Sequence, residues 1–240
     1  MDLLLIRHAE PVRIAPGSSP VPADPGLTPR GRLQAVRLAQ WLEHEPVDAV
    51  LSSPLRRARE TAAIVGDGLG LEVETVEGLM EYDAEADYYI PVEEMRETRD
   101  HRWRAMIEGR WEELGGEPPD QFRARIVPCV DGVIEHFPGG RIAAVCHGGV
   151  INVYVAALLG LARHLWFDPG YTSITRIAAA RTGERSVGTL NETAHLVERR
   201  FREYHSSSVT QADVKEAEHE GDAITRELIQ LRYTRHVPPF

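Results

Sequence analysis

Two histidines in this sequence each follow directly on an uninterrupted apolar run. The run over 3–6 ends on Arg7 and His8, and the run over 142–146 ends on His147. Apolar runs without polar alternation are typical of strands buried on both faces of a parallel α/β sheet. Ligands of such sheets bind at the carboxyl ends of the strands. If both strands belong to one parallel sheet, both imidazoles and the Arg7 guanidinium emerge at the same edge.

A second source of positive charge follows a third apolar run, over 47–51. Arg56 and Arg57 come on the first turn of the helix predicted after this run. The forked geometry of an arginine side chain matches the oxygens of a phosphate. The helix that starts just after His147 would also turn its free N–H groups toward the edge, where they favour an anion. These features together predict an anion site, with phosphate as the best match.

Imidazole beside a phosphate site indicates phosphoryl transfer. A neutral His8 can attack phosphorus and divide the reaction into two displacements. Positioned arginines can stabilise the charge on the phosphoryl oxygens without a metal ion. The leaving alkoxide needs a proton, which a nearby carboxylic acid can supply. Glu81 follows the predicted edge strand and is the preferred donor, with Asp83 and Glu85 as rivals.

The elements needed to hold these residues alternate along the chain. Strands are predicted over 3–6, 47–51, 71–76 and 142–146, and helices lie between them. Thr28 and Pro29 form a capping signal for the first helix, which apolar residues at helical spacing, Leu33 and Val36 among them, continue. Ser53 and Pro54 repeat that signal before the second helix. This order predicts a three-layer α/β/α fold with a mostly parallel central sheet flanked by helices.

Two segments depart from the alternation. Residues 82–119 show no convincing strand and are predicted to be a helical insertion over the active site. Residues 197–240 are charged and are predicted to form a helical tail, packed on the same domain or at a dimer interface. The main α/β domain is therefore assigned to residues 1–196.

Composition narrows the function classes. The formal net charge of −10 argues against a nucleic-acid partner, which requires a basic stripe. No run approaches the roughly 20 apolar residues that span a bilayer, and no signal peptide is visible, so a cytoplasmic protein with no membrane partner is expected. Cys146 is expected to be a buried thiol. The histidines lack metal-ligand spacing, so neither a metal ion nor another cofactor is predicted.

The ordered motifs resemble one known family. They read RHAE at 7–10, LTPRGRLQA at 27–35, SSPLRRARETA at 52–62, HGGVI at 147–151 and NETAHL at 191–196. Five segments in this order are similar to the phosphoglycerate-mutase-like histidine phosphatase superfamily. The resemblance spans the first 196 residues, whereas an Arg-His pair alone would carry little weight.

The resemblance implies a role for each matching residue. His8 would be the phosphorylated nucleophile, with Arg7 and Arg57 on the phosphoryl oxygens. His147 would donate to the phosphoryl group or orient it. Glu81 would protonate the leaving group and then activate water. A small phosphomonoester is the implied partner, and the helical tail is compatible with a homodimer.

Departures from the family pattern bear on the choice of acceptor. The mutases carry asparagine where this chain has Ile14, and Ala9 replaces the more usual glycine. The mutase tryptophan-glutamate-glycine segment after the acid is also missing. A phosphatase is therefore favoured over a mutase or a non-catalytic phospho-ligand-binding protein. Thr28 is placed near the phosphate entrance, and further substrate contacts are expected from Arg13, Arg99, His101, Arg102, Trp103 and Arg104.

The remaining aromatic and histidine residues receive structural interpretations. His195 is expected to make a structural hydrogen bond rather than take part in catalysis. Trp103 and Trp111, at helical spacing, are interpreted as packing residues rather than as a stack that holds a ligand.

Overall fold

A computed structural model describes residues 1–18 and 22–197. The predicted helical tail over 197–240 therefore lies outside the described residues, apart from Val197. The dimer interface predicted for that tail lies outside them too. Within the described ranges, no helix has both the length and the apolar character needed to cross a bilayer.

A six-stranded sheet runs through the centre of the domain in the order β3-β2-β4-β1-β5-β6. Its strands are β1 (Asp2–Arg7), β2 (Ala49–Ser52), β3 (Val73–Thr75), β4 (Arg141–Cys146), β5 (Ile174–Ala179) and β6 (Arg185–Glu192). The first four are parallel, and β5 and β6 form an antiparallel pair at one side. The predicted neighbourhood is confirmed: β1 lies beside β4, with Arg7 opposite Cys146.

Six α-helices accompany the sheet within the described ranges. They are α1 (Pro29–Leu42), α2 (Arg56–Leu69), α3 (Val92–Glu97), α4 (His101–Ile107), α5 (Pro119–His136) and α6 (Gly148–Leu159). Short 3₁₀ turns cover Glu77–Leu79, Trp111–Leu114 and Ala194–Leu196.

The buried strands send alternate side chains into two cores, as the period of a strand requires. Leu3 and Leu5 pack with residues of α5 and α6 on one face of the sheet. Leu4 and Ile6 pack with residues of α1 and α2 on the other face. Helices thus cover both faces, which confirms the three-layer α/β/α architecture.

Helix α1 forms where it was predicted, but two of its apolar residues face outward. Thr28 caps it as expected, by accepting a hydrogen bond from the Gly31 N–H. Leu33 and Val36, however, are exposed on the helix surface. Gln34 is buried instead, because its side-chain oxygen accepts the main-chain N–H of Glu10 just beyond the first strand.

The start of α2 differs from the predicted one. The helix begins at Arg56 behind an uncapped Leu55, so Ser53 and Pro54 form no cap-and-proline start. The Ser53 hydroxyl is buried and lies 2.8 Å from the ring of His147. Ser53, which the sequence suggested as a helix cap, thus lies at the carboxyl end of β2 and faces His147.

The predicted insertion is helical, with α3, α4 and a 3₁₀ turn between β3 and α5. Ile90, Met95, Met106 and Leu114 form a small apolar cluster of its own. Trp111 is fully buried and its ring lies 4.3 Å from that of Tyr82, which confirms a packing role. The insertion therefore has its own core beside the main one.

Candidate active site

Three adjacent strands bring the two histidines and Ser53 together at the carboxyl ends of the parallel strands. His8 follows β1, His147 follows β4 and Ser53 follows β2, and these strands are neighbours in the order β2-β4-β1. The two imidazole centroids lie 5.1 Å apart. The predicted convergence of both histidines is therefore present in the structure.

His8 is held as a neutral base with one free nitrogen. Its Nδ1 lies 2.8 Å from the carbonyl oxygen of Ala9, which can only accept, so Nδ1 carries the hydrogen. Burial, with the nearby charges of Arg57 and Arg7, lowers the pKa of His8 well below its usual value. At neutral pH the lone pair of Nε2 is thus available for attack on an electrophile.

His147 has a different hydrogen-bond environment. Its Nε2 lies 2.8 Å from the Ser53 hydroxyl, and that hydroxyl also accepts the Leu55 N–H at 3.3 Å. Burial and the charge of Arg57 lower the pKa of His147 well below its usual value. Within the described ranges, its buried Nδ1 has no hydrogen-bond partner. If Ser53 donates its proton to Nε2, Nδ1 carries a hydrogen and can donate to a ligand.

Arg7 is buried at the base of the site. Its Nη1 donates to the carbonyl of Pro169 at 2.5 Å and to Glu93 at 3.4 Å. The guanidinium carbon lies 4.1 Å from the centre of the Tyr171 ring. Because the Pro169 carbonyl and the Tyr171 ring already contact it, this guanidinium is fixed in position before a phosphate arrives.

Arg57 is the second buried guanidinium. Its Nη2 lies 3.3 Å from Asp83, and its carbon lies 4.9 Å from the centre of the Tyr89 ring. Its buried Nε has no hydrogen-bond partner in the part of the chain that the structure describes. Arg56, one residue earlier, is exposed and pairs with Glu60. The predicted difference between these two arginines is therefore confirmed.

Glu81 is buried and held by main-chain donors. It accepts hydrogen bonds from Gly149 N–H at 2.8 Å and from Tyr82 N–H at 3.1 Å. Burial, reinforced by the charge of Asp83, raises the pKa of Glu81 to about 7. A carboxyl with this pKa can give and take a proton near neutral pH. Among its rivals, Asp83 pairs with Arg57 and Glu85 is exposed.

Gly149 makes this arrangement possible. A Cβ at this position would overlap the carboxyl group of Glu81, whereas a Cβ on Gly148 would meet nothing closer than Arg7 Nε at 3.9 Å. Of the two glycines that open α6, Gly149 is therefore the one whose missing side chain admits the carboxyl group to the helix terminus.

A cavity of about 500 Å³ opens above these residues. Arg7, His8, Arg57 and Glu81 line it, while His147 is fully buried next to His8. Trp103 from the insertion lines it as predicted. The further lining residues are Tyr82, Asp83, Tyr89, Ile90, Val92, Met95, Met106, Ile107, Glu108, Gly148, Gly149, Asn152, Arg163, Leu165, Trp166, Phe167, Asp168 and Pro169.

Several predicted contacts do not reach the cavity. The Thr28 hydroxyl accepts the capping bond from Gly31 N–H and donates to the Glu10 carboxylate at 3.0 Å. Arg13 pairs with Glu94 at 2.8 Å, and Arg102 pairs with Asp100. These charges are matched on or near the surface, so the predictions of a phosphate entrance and a basic substrate pocket are corrected here. Arg99, His101 and Arg104 are exposed and do not line the cavity either.

Three residues near the site were not predicted from the sequence. Tyr89 and Tyr171 place their rings 6.5 Å and 5.9 Å from that of His8. The buried side chain of Asn152 bonds to Gly148, Trp166 and Phe167. An asparagine inside the otherwise apolar helix α6 was a signal that could have been used. The tyrosines carried no comparable signal, because each is brought to His8 by a loop.

His195 has the structural role expected of it. Its Nε2 lies 3.0 Å from the hydroxyl of Thr172, and its side chain is mostly buried. Among the described residues, no group of three or more histidines, cysteines or acids is placed to hold a metal ion.

Comparison with known proteins places this geometry in context. The family model described as histidine phosphatase superfamily (branch 1) matches residues 3–193. The chain is 30% identical over 201 residues to phosphoserine phosphatase 1 of Hydrogenobacter thermophilus, covering 82% of this chain and 95% of that protein. It is also 28% identical to a probable phosphoglycerate mutase of Yersinia enterocolitica over 169 residues, 68% of this chain and 77% of that protein.

A solved structure supports the same fold. A mycobacterial glucosyl-3-phosphoglycerate phosphatase in complex with inorganic phosphate matches with a TM-score of 0.64 and 26% identity. The match covers 82% of this chain and 99% of that one.

Proposed function

The chain belongs to the histidine phosphatase superfamily and is a phosphatase, and we propose that it hydrolyses small phosphomonoesters through a phosphohistidine on His8. One observation carries this proposal. The free Nε2 of a neutral, buried His8 lies at the same cavity end as two buried guanidiniums and a carboxyl group with a pKa of about 7. This is the set of groups that phosphoryl transfer through a histidine requires.

In the first displacement, His8 Nε2 attacks phosphorus and the bond from phosphorus to the ester oxygen breaks. Arg7 and Arg57 bind the non-bridging oxygens, and His147 Nδ1 donates to one of them. Glu81, protonated, passes its hydrogen to the departing alkoxide, so the product leaves as a neutral alcohol. The positive charge on the phosphorylated imidazole is shared with the Ala9 carbonyl through Nδ1–H.

In the second displacement, water attacks the phosphohistidine. Glu81 is now a carboxylate and takes a proton from the attacking water. The bond from phosphorus to Nε2 breaks, which returns His8 to its neutral form and releases inorganic phosphate. The same carboxyl group thus acts first as acid and then as base, and a pKa close to neutrality suits both roles.

The charge requirement is met by protein side chains in this mechanism. Arginine is always protonated in proteins, and two guanidiniums can neutralise the phosphoryl group directly. We therefore expect turnover to survive metal chelation. Loss of activity with a chelator, restored by a divalent ion, would contradict this part of the proposal.

Water is favoured over a second phosphoryl acceptor. The mutases' asparagine position is occupied by Ile14, whose main chain forms an isolated bridge with Tyr89. An aliphatic side chain offers no hydrogen bond to a substrate that must stay and reorient between transfers. Hydrolysis needs only entry of water after the alcohol departs.

The test is phosphate release from a panel of phosphomonoesters, with and without a chelator. Wild type should release phosphate stoichiometrically with alcohol, and His8→Ala should not. Movement of phosphate between positions of 3-phosphoglycerate without release would favour the mutase alternative. Binding of phosphate without turnover of any ester would instead indicate a non-catalytic phospho-ligand-binding protein.

A further inference from the structure

Besides the polar groups around His8, the cavity has an apolar wall. Two segments build that wall: the insertion and the stretch before Pro169 that follows α6. The apolar side chains lining it are Ile90, Val92, Met95, Trp103, Met106, Ile107, Leu165, Trp166 and Phe167. Building on the function proposed above, we propose that the preferred substrate is a phosphomonoester of an uncharged apolar alcohol, alkyl or aryl.

The distribution of charge supports this substrate class. Apart from the two phosphate-binding arginines, the only lining cation in the described residues is the exposed Arg163. Asp83, Glu108 and Asp168 line the same cavity with the opposite sign. A leaving group with its own carboxylate would meet three acids and the apolar wall, with only the exposed Arg163, among the described lining residues, to offset them. Since an unpaired charge is costly to desolvate, such substrates should be disfavoured.

The cations that could have changed this balance are paired elsewhere. Arg102 lies against Asp100, and Arg13 lies against Glu94. Arg96, from α3, pairs with Asp168 at 3.3 Å rather than lining the cavity. These three arginines are thus engaged in ion pairs, within the insertion or between it and its neighbours, while the insertion presents apolar side chains to the cavity.

The apolar wall is held in place by the fold. Met95 and Met106 are buried within the insertion's own cluster, with Trp103 packed against it. On the opposite side, the Asn152 side chain accepts the main-chain N–H groups of Trp166 and Phe167. Pockets for small molecules are usually preformed and apolar with a few polar groups, and 500 Å³ lies within their usual range of about 300–1,000 Å³.

The experiment compares kcat/KM across n-alkyl phosphates from ethyl to hexyl, with 3-phosphoglycerate as the charged comparison. Longer alkyl groups differ little in leaving-group pKa, so the series isolates apolar contact. Each buried methylene is worth about 0.8 kcal/mol. We expect hexyl phosphate to exceed ethyl phosphate by at least about tenfold. The 3-phosphoglycerate value should fall below that of hexyl phosphate.

Two variants of the wall test its location. Trp103→Ala should reduce the hexyl-to-ethyl ratio at least about threefold, because apolar contact is lost. Ile107→Lys, at a half-exposed position of the rim, should lower the ratio and raise kcat/KM for 3-phosphoglycerate. Leu33→Ser is the matched control, since Leu33 is an exposed apolar residue on α1 away from the cavity. It should leave every value unchanged.

The outcomes separate this inference from the function on which it rests. Phosphate release with a hexyl-to-ethyl ratio near one, or with 3-phosphoglycerate preferred, would overturn the apolar substrate class and leave the phosphatase intact. An unchanged ratio in both wall variants would also overturn it. Release from none of the esters would contradict the proposed function itself.

Discussion

The edge of the sheet and the helical insertion face each other across one cavity but are built in different ways. At the sheet edge, His8, His147 and Ser53 are fixed by neighbouring strands whose main-chain bonds define their positions. In the insertion, short helices are tied to the edge by side-chain ion pairs, such as Glu93 with Arg7 and Glu94 with Arg13.

This difference divides the work of the site. In the proposed mechanism, groups placed by main-chain topology carry the reaction, because phosphoryl transfer tolerates little displacement of nucleophile and cations. The apolar side chains of the insertion would contact the leaving group, where side chains of many shapes can serve. A change at the sheet edge should therefore affect all substrates alike, and a change in the insertion should affect the choice among them.

The largest effect short of removing the nucleophile is expected for Arg57→Gln. Loss of a buried guanidinium from the phosphoryl oxygens should lower kcat/KM by about 10²–10³. The loss should be equal for ethyl and hexyl phosphates, because Arg57 belongs to the shared chemistry. Arg56→Gln, one residue away and exposed, is the control and should change kcat/KM little. A loss in kcat/KM that depends on alkyl length would contradict the assignment of Arg57 to the chemistry shared by all substrates.

Glu81→Gln should come next, at about 10² in kcat for alkyl esters. The wild-type kcat should fall as pH rises above about 7, because the acid loses the proton needed by the leaving alkoxide. A bound dianionic phosphoryl group disfavours ionisation of Glu81, so in the complex this fall in kcat, the alkaline limb of the pH profile, should move to higher pH. In Glu81→Gln the limb should be absent. Its persistence would assign the proton donor to another group.

A smaller loss is expected for Gly149→Ala, on the order of tenfold in kcat. The added methyl overlaps the Glu81 carboxyl group and must displace it from the helix terminus. Gly148→Ala has room for its methyl and serves as the paired control. Similar losses in both variants, or unchanged kcat in Gly149→Ala, would show that the position of Glu81 does not depend on this contact.

The smallest effect is expected where the two regions touch. Glu93→Gln removes a carboxylate that competes with substrate for Arg7, so inorganic phosphate should inhibit roughly two- to fivefold more strongly. Glu94→Gln breaks the exposed pair with Arg13 and should leave phosphate inhibition unchanged. Weaker phosphate inhibition in Glu93→Gln would mean that Glu93 positions Arg7 for the phosphoryl group.

Residues at the ends of the strands could be predicted from the sequence better than residues on the insertion. The convergence of His8 and His147 follows from two apolar runs in a parallel sheet, and the structure confirms it. Their catalytic roles stay predictions. Helical spacing predicted the helix that carries Leu33 but did not fix which of its residues would be buried. Leu33 is exposed, whereas the polar Gln34 is buried and accepts a hydrogen bond from the Glu10 N–H.

In the insertion and in the loop after β1, residue type was a poor guide to position. Arg13 and Arg102 were predicted to meet substrate because they are cations near a phosphate site, yet each pairs with a local acid. Whether a charge faces a cavity or a neighbour depends on short helices whose packing has no simple sequence period. Trp103 lines the cavity as predicted, while the apolar character of the whole wall emerged only from the structure.

The central claim is that His8 Nε2 carries the phosphoryl group between the two displacements. The most direct measurement is rapid denaturing quench of wild type during turnover of a ³²P-labelled phosphomonoester, followed by mapping of the labelled peptide. We predict acid-labile, base-stable label on His8, formed before phosphate is released and absent from His8→Ala. Steady release of phosphate with no label on His8, or turnover retained by His8→Ala, would contradict the account.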